Sequence, residues 1–283
     1  MDKILLPATN ADGLPIVPMS DEQKYTFDLK GWITLPGLLD AEQLDTIRTH
    51  QMKFLYECDS LPLEEQDNHG GPSQILLDHP EVVGVLNEIL SHQGLATEDC
   101  YGFRFDHTYT SHRQTGHDRF NPHGGGGYFN FSGNSHIYQM QMGRIHAGLT
   151  RVVWELNEVE EGDGGTMFLS GSHKSAFPRP PALSKRDSPL WESYSCPAGS
   201  IVIFTEALCH TGTLWTNETR DRLCLFTCYN TINAKWGKAC PPQAVIESFP
   251  PKRQTLFRGI WHGMGEVPGI NKYYDEANTG RFG

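Results

Sequence analysis

The sequence has no long apolar run and no cluster of basic residues. A membrane-spanning helix needs roughly 18–20 consecutive apolar residues, and no stretch of the 283 residues approaches that length. Lys and Arg total 23 against 34 Asp and Glu, which gives a formal net charge of −11, and the basic residues are scattered. A surface that binds nucleic acid or an anionic membrane needs clustered positive charge. These absences argue against both partners and indicate a small-molecule ligand.

Cysteine pairs are also lacking, because the seven cysteines are odd in number and form no CxxC pair. In a chain of this length, that pattern indicates free or buried thiols in a reducing compartment and not a disulfide scaffold. The first residues, from Met1 to Pro7, are too few and, at Asp2, too acidic to form a signal peptide. We therefore expect a cytoplasmic protein.

Helix signals fill the first third of the chain. A helix that begins at Asp21 is predicted to end at Gly31, since glycine followed by strand-forming residues is a common helix stop. A short strand is predicted over residues 32–35. Asp40 is predicted to cap a second helix, and the apolar residues of Pro80–Leu90 indicate a third.

From Tyr101 onward the apolar residues alternate with period two, which is typical of strands. Strand-like runs separated by turn signals follow, namely Ile145–Leu156, Gly165–Leu169, Gly199–Phe204 and Arg222–Tyr229. Helices first and many strands later, with no βα alternation, predict a mainly β protein with flanking helices, a jelly roll braced by N-terminal helices. We expect one domain over residues 1–283, with helices to about residue 100, the jelly-roll core over about 101–235 and a C-terminal extension over about 236–283.

Residues 110–136 form a long stretch rich in Gly, His, Asn and Ser, and long loops inside compact domains are often functional. The stretch contains His123, which is followed by four glycines, Gly124–Gly127. A second histidine, His210, follows a separate strand-like run and precedes Thr211-Gly212, which is predicted as a turn. A histidine, a carboxylate two residues later and a distant histidine form the facial triad of non-haem Fe(II) oxygenases. The chain offers both histidines, but Gly125 stands where the carboxylate is expected.

Arg222 opens the last strand-like run and is a candidate anion ligand. An arginine that points into a barrel needs a planar anion, and its guanidinium fork suits the distal carboxylate of a keto acid. The alternative is an exposed arginine at a strand end, and Arg220 competes for the binding role. We favour Arg222.

Four stretches of the chain resemble the phytanoyl-CoA dioxygenase family of Fe(II)/2-oxoglutarate oxygenases. Residues 28–44 resemble the opening helix-strand-helix of that family. Residues 154–174 resemble its most recognisable segment, which here ends in Gly164-Gly-Thr-Met-Phe-Leu-Ser-Gly-Ser-His-Lys174. Residues 199–212 resemble the strand that carries the second iron histidine, and Arg222 falls where the arginine that binds 2-oxoglutarate is expected.

The resemblance implies a double-stranded β-helix that uses ferrous iron, 2-oxoglutarate and O2 to oxidise a C–H bond, most often by hydroxylation. It implies His123 and His210 as iron ligands and Arg222 as the residue that binds 2-oxoglutarate. Gln141 and Trp154 are predicted to line the cofactor site. No basic patch for the phosphates of an acyl-CoA is visible in the sequence, so the substrate is expected to be a different small molecule.

The family pattern His-x-Asp is replaced here by His123-Gly-Gly125, and three interpretations are open. In the first, chloride takes the ligand position, as the resemblance to iron halogenases with a His-x-Gly motif implies, and the enzyme halogenates. In the second, another acid or water completes the site and the enzyme hydroxylates, which we favour. In the third, the site is degenerate and the protein only binds a metal or ligand.

Glu206 and Asp118 are the acids that could replace the missing carboxylate. Glu206 precedes His210 by four residues, which is about 13 Å on an extended strand and too far for the two to share a metal. If the segment is instead a turn, Glu206 reaches the site as a ligand or a substrate contact. Asp118 lies on the same long loop as His123. The sequence leaves these alternatives open.

Overall fold

The computed structural model describes residues 6–91, 96–125, 136–141 and 143–260, and of Gln141 it describes only the backbone. Five α-helices and ten strands lie in these described ranges. The helices are α1 (Asp21–Lys30), α2 (Ala41–Tyr56), α3 (Pro80–Ile89), α4 (Gln243–Ser248) and α5 (Pro251–Gln254). The strands are β1 (Trp32–Leu35), β2 (Phe103–Arg113), β3 (Gln139–Gln141), β4 (Arg144–His146), β5 (Thr150–Glu155), β6 (Thr166–Leu169), β7 (Trp191–Glu192), β8 (Ser200–Thr205), β9 (His210–Gly212) and β10 (Arg222–Thr231).

The chain divides into two compact units. The first comprises residues 1–19, 49–108 and 227–283, and the second comprises residues 20–48 and 109–226. Strands β2 and β10 contribute residues to both units. The single domain over residues 1–283 stays a prediction, and the end of the predicted C-terminal extension, from residue 261, lies outside the described residues.

Local sequence signals set both ends of α1. Ser20 and Gln23 form a capping box, in which the Ser20 hydroxyl accepts from the Gln23 backbone N at 3.2 Å and the Gln23 side chain accepts from the Ser20 N at 2.8 Å. Gly31 ends the helix with φ 85°, a left-handed conformation that costs glycine little. Strand β1 follows at once from Trp32, so the predicted helix stop and strand are confirmed.

Helices α2 and α3 also follow the sequence signals. The Asp40 carboxylate accepts from the Gln43 backbone N at 2.8 Å and so caps α2 as predicted. Helix α3 lies in the first unit and is almost wholly buried. A buried ion pair in the same unit joins Arg253 to Asp78 at 2.8 Å, and the Tyr101 hydroxyl donates to Asp78 at 2.7 Å. This carboxylate thus holds several segments of the first unit together.

A five-stranded sheet has the order β1-β8-β5-β10-β2. Strand β8 pairs antiparallel with β1 on one side and with β5 on the other. Because successive side chains of a strand point to opposite faces, Arg151, Val153 and Glu155 of β5 share one face of the sheet. Trp154 lies on the other face.

A second, three-stranded sheet of the second unit has the order β7-β6-β9. Phe168 of β6 stacks on Trp32 of β1 with ring centroids 4.8 Å apart, and it meets Phe204 of β8 edge-on at 5.1 Å. These rings belong to a buried apolar cluster between the two sheets. The mainly antiparallel architecture with flanking helices confirms the predicted fold class.

The structure corrects two details of the predicted strands. The run Ile145–Leu156 is two strands and not one, because the chain turns at Gly148 with φ 62° between β4 and β5. Thr211 and Gly212, predicted as a turn after His210, instead extend β9, which pairs with β6.

In the described ranges, no helix has both the length and the apolar character that a membrane crossing requires. All seven cysteines are free thiols.

Candidate metal centre

His123 and His210 lie side by side, although they come from different segments. Their backbones form an antiparallel bridge in which the His123 N donates to the His210 O at 3.0 Å and the His210 N donates to the His123 O at 2.9 Å. Their imidazole centroids are 4.2 Å apart. The structure therefore brings together the two histidines that were predicted as iron ligands.

Each imidazole is oriented by the backbone carbonyl two residues earlier. The Nδ1 of His123 lies 2.7 Å from the Asn121 O, and the Nδ1 of His210 lies 2.8 Å from the Leu208 O. Because a carbonyl only accepts, Nδ1 carries a proton in both rings, and in the neutral form of each ring Nε2 is the atom with the free lone pair. Burial lowers the pKa of His210 to about 4, against the opposing charge of Glu206. The His210 ring is therefore neutral at pH 7, which is the state that binds metals.

Glu206 reaches the two histidines because residues 206–209 form a turn between β8 and β9 and not an extended strand. Its Oε2 lies 3.6 Å from the Nε2 of His210. One ligand atom from each of His123, Glu206 and His210 lies within 4.8 Å of the other two. Glu206 and His210 are buried, while His123 is exposed. Of the two conformations considered for this segment, the turn is the correct one.

Contacts from separate segments hold this turn in place. The Ala207 N donates to the Thr205 hydroxyl at 3.2 Å, and the Cys209 N donates to the Ser172 hydroxyl at 2.8 Å. The Gly125 N donates to the Ala207 O at 3.0 Å. Ser172 belongs to the Gly164–Lys174 run singled out in the sequence, so this part of the run supports the turn that carries Glu206.

Gly124 and Gly125 pack closely against the same turn. Both are left-handed, with φ of 67° and 66°, a conformation that side chains disfavour. A Cβ added to Gly124 would lie 2.5 Å from the Leu208 O, and one added to Gly125 would lie 2.6 Å from the Cβ of Cys209. A side chain at position 125 would therefore collide with Cys209, and the carboxylate near the histidines comes from Glu206 instead. Gly126 and Gly127 lie outside the described residues.

Arg151 fixes the charge of Glu206. Its Nε donates to the Oε1 of Glu206, and its Nη1 donates to the Tyr109 hydroxyl at 3.0 Å. Burial alone would raise the pKa of Glu206, but the charge of Arg151, followed by that of His210, lowers it to about 2. Glu206 is therefore an ionised carboxylate with one oxygen bound to Arg151 and the other facing His210.

Arg222 lies in the interior of the second unit, fully buried. Two of its nitrogens donate to the Glu155 carboxylate, and its Nη2 also donates to the Tyr194 hydroxyl at 2.9 Å and the Thr166 hydroxyl at 3.3 Å. Arg220, the competing residue, is instead partly exposed and pairs with the exposed Glu158 and Glu160 and with Asp163. The burial expected of a keto-acid ligand is thus found at Arg222.

Asp118 and Trp154 were predicted as site residues, but neither joins the cluster. Asp118 is exposed and pairs with Arg186 at 2.5 Å. Trp154 is buried on the face of β5 opposite Arg151. Gln141 ends β3 across from Arg144, and its side chain lies outside the described residues.

Arg151 and Glu155 are site residues that sequence reasoning missed. They lie four apart in an otherwise apolar strand, so both face the same side of the sheet. Charged residues at alternating positions of a buried strand need partners. That need for partners was visible in the sequence. The structure identifies Glu206 as the partner of Arg151 and Arg222 as the partner of Glu155.

A cavity of about 490 Å³ lies next to the turn that carries Glu206, and Gly125 and Cys209 both line it. Its other walls are mostly apolar, and Phe177 and Leu183 contribute to them. None of His123, Glu206 and His210 lines the cavity.

Comparison with known proteins identifies one sequence family. The family described as phytanoyl-CoA dioxygenase (PhyH) matches residues 27–222. No curated protein matches the chain in sequence.

Several solved structures share the fold. HygX from Streptomyces hygroscopicus with iron bound is 18% identical, covers 76% of this chain and 88% of its own, and superposes with a TM-score of 0.60. The same protein with nickel and 2-oxoglutarate bound is 18% identical, covers 75% of this chain and 87% of its own, and superposes with a TM-score of 0.59. The non-haem alpha-ketoglutarate-dependent carbocyclase SnoK from nogalamycin biosynthesis is 14% identical, covers 82% of this chain and 89% of its own, and superposes with a TM-score of 0.54. These likenesses confirm the predicted jelly roll.

Proposed function

Because the chain belongs to the phytanoyl-CoA dioxygenase family, we propose that it is an Fe(II)- and 2-oxoglutarate-dependent oxygenase that hydroxylates a C–H bond of a small molecule. Ferrous iron would be held by the Nε2 atoms of His123 and His210 and by the carboxylate of Glu206. The observation that carries the proposal is the convergence of these three ligand atoms within 4.8 Å.

The donor set fits ferrous iron. Two neutral imidazoles and one carboxylate, with open positions for other ligands, are typical of non-haem Fe(II) oxygenases. Both imidazoles are fixed through Nδ1 by backbone carbonyls, and such outer contacts orient metal-binding histidines. The Glu206 carboxylate is ionised and held by Arg151. The site is thus organised before a metal binds.

When bound, iron and 2-oxoglutarate supply the oxidation of a substrate C–H bond by O2, with release of succinate and CO2. The residues of this chain position the reactants. Arg222 is buried on the same sheet as Arg151 and offers a guanidinium to the distal carboxylate of 2-oxoglutarate. His123 is the exposed member of the cluster, so we place the entry of substrate and O2 on its side.

Hydroxylation is favoured over halogenation because a protein carboxylate is available to complete the ligand set. A halogenase needs an open anion position at the metal, and the missing carboxylate at Gly125 suggested one. A side chain at position 125 would instead point at Cys209, while Glu206 brings an ionised carboxylate to the histidines. An anion such as chloride would have to displace Glu206.

The test compares the wild type with Glu206→Ala and Glu206→Gln. Binding of Mn(II) is measured by calorimetry without O2, and succinate formation is measured with Fe(II), 2-oxoglutarate and O2. Both variants should lose more than ~100-fold in metal affinity, since even residues that only orient ligands contribute about 10–100-fold. The rate of succinate formation should fall together with the metal affinity.

Exposed Glu218 provides the matched control, and Glu218→Gln should bind Mn(II) like the wild type. Full metal affinity in Glu206→Ala would contradict the assignment of Glu206 and support the halogenase. A wild type that binds neither metal nor 2-oxoglutarate would support a protein without catalytic activity.

We also assign the protein to the cytoplasm. The support is that all seven cysteines are free thiols, as is usual in a reducing compartment.

A further inference from the structure

Arg113, at the end of β2, is the neighbour of Arg222 on the interior face of the second unit. The ring of Tyr109 stacks on Phe226 with centroids 4.6 Å apart, and the Cys224 Sγ lies 3.8 Å from the Ser111 O. Each step of two residues stays on the same face of a strand. One further step along both strands brings Arg113 beside Arg222.

The proximity of the two arginines is also electrostatic. Burial, and next the charge of Arg222, lower the pKa of Arg113. Only 8% of Arg113 is exposed, and none of Arg222. Two like charges are thus held near each other with little solvent to screen them.

Two guanidinium groups lie near a single carboxylate, that of Glu155. Glu155 is bound by Arg222 through two hydrogen bonds. Within the described residues, Arg113 pairs with no carboxylate, and its one hydrogen bond runs from Nε to the Ser111 hydroxyl at 3.2 Å. Arg113, Arg222 and Glu155 therefore sum to one uncompensated positive charge in the interior, which is costly unless an anion neutralises it.

Both arginines also have unused donors. The Nη1 atoms of Arg113 and Arg222 are buried and have no hydrogen-bond partner among the described residues. Gly212 lies against Arg113, and a Cβ added there would be 3.0 Å from its Nη1. Glycine at this position therefore lets the backbone of β9 pack directly against the Arg113 guanidinium.

We propose that Arg113 and Arg222 form a two-arginine subsite for one carboxylate, the distal carboxylate of 2-oxoglutarate, and that Arg113 supplies the charge that Glu155 has neutralised at Arg222. This inference rests on the proposed function. The role of Arg113 follows from the register of β2 against β10 and from the count of charges. It makes Arg113 a determinant of selectivity for keto acids with a second carboxylate.

The test measures keto-acid binding to the Mn(II)-loaded protein by calorimetry without O2. The probes are 2-oxoglutarate and 2-oxopentanoate, which has the same chain length and no distal carboxylate. Arg113→Met should weaken 2-oxoglutarate binding by about 10–100-fold, the usual effect of removing a hydrogen bond to a charged group. Its affinity for 2-oxopentanoate should change by less than about threefold. Arg113→Lys, which keeps the charge but not the fork, should lie between.

Thermal unfolding separates this role from a structural one. Ligand-free Arg113→Met should melt at or above the temperature of the wild type, because it removes an unpaired buried charge. If Arg113 served only to hold the fold, the variant would melt lower and both keto acids would bind less well. Arg220→Met is the matched control, since Arg220 pairs with surface acids, and it should bind 2-oxoglutarate like the wild type.

The inference is overturned if Arg113→Met keeps wild-type affinity for 2-oxoglutarate while Arg222→Met loses it. That result would leave the proposed function standing. A wild type that binds Mn(II) but not 2-oxoglutarate would overturn both.

Discussion

The carboxylate of Glu206 lies 3.6 Å from the Nε2 of His210, four residues later in the chain. On an extended strand the same separation in sequence would place them about 13 Å apart. The turn over residues 206–209 removes that distance. In the proposed iron site, a carboxylate that precedes the second histidine takes the place of one that would follow the first, and the ligand types of a facial triad are kept.

Removal of the Glu206 carboxylate should open an anion position at the metal. In iron-loaded crystals of Glu206→Ala soaked in bromide, we expect anomalous density for bromide beside His210, because Arg151 and the metal are left without their carboxylate. Wild-type crystals treated in the same way should show none. Bromide bound in the wild type would identify a halogenase.

A carboxylate introduced at position 125 should not become a ligand. Gly125→Asp should lower the free energy of unfolding by about 1–3 kcal/mol, since a strained left-handed residue would also collide with Cys209. The double variant Gly125→Asp/Glu206→Ala should bind Mn(II) no better than Glu206→Ala.

Gly143→Asp is the control for backbone strain, because Gly143 has φ 74° but nothing within 4 Å of an added Cβ. In chemical denaturation, Gly143→Asp should lower the free energy of unfolding by less than Gly125→Asp does. Restored metal affinity in the double variant would show that position 125 can reach the metal after all.

His173 should destabilise the fold in mild acid. Burial lowers its pKa to about 4, and its Nδ1 is buried without a partner within the described residues. The unfolded chain binds a proton at a pKa near 6.5, so between about pH 6.5 and 4 it binds more protons than the folded protein. The stability that His173 contributes is therefore complete above this range and is lost as the pH falls through it.

The measurement is the free energy of unfolding of His173→Gln and of the wild type at pH 7 and pH 5, without metal. The difference between them should move by about 2 kcal/mol in favour of the variant at the lower pH. A difference that does not change with pH would mean that His173 titrates normally.

Glu155 should be more important to stability than its position in an apolar strand suggests. Glu155→Gln leaves Arg222 and Arg113 without a counter-charge, and breaking a buried ion pair costs about 3–5 kcal/mol. Glu218→Gln, on the surface, should change the free energy of unfolding by less than about 0.5 kcal/mol. Chemical denaturation of the two variants tests this, and equal effects would contradict the charge count at Arg222.

The features that the sequence predicted are those with local signals. The stop of α1 at Gly31 needs only a glycine and the strand-forming residues that follow. The jelly-roll class follows from the change of period near Tyr101, and the burial of Arg222 from its place at the start of a strand. Each depends on a few neighbouring residues.

The features that the sequence left open depend on contacts between distant segments. Whether Glu206 reaches His210 is decided by Ser172 and Gly125, which bond to the turn from other parts of the chain. The partner of Arg113 is set by strand register, which a single sequence does not reveal. At position 125, where the family pattern has a carboxylate, two left-handed glycines bend the chain toward the turn.

The central claim is that Glu206 completes an iron site with His123 and His210. A crystal structure of the protein loaded with Fe(II) and 2-oxoglutarate without O2, with anomalous data at the iron edge, tests it most directly. We expect iron bound by the two Nε2 atoms and by one oxygen of Glu206, with Arg151 bound to the other oxygen of Glu206. Iron bound by the histidines with water or halide in place of Glu206, or no iron between them, would contradict it.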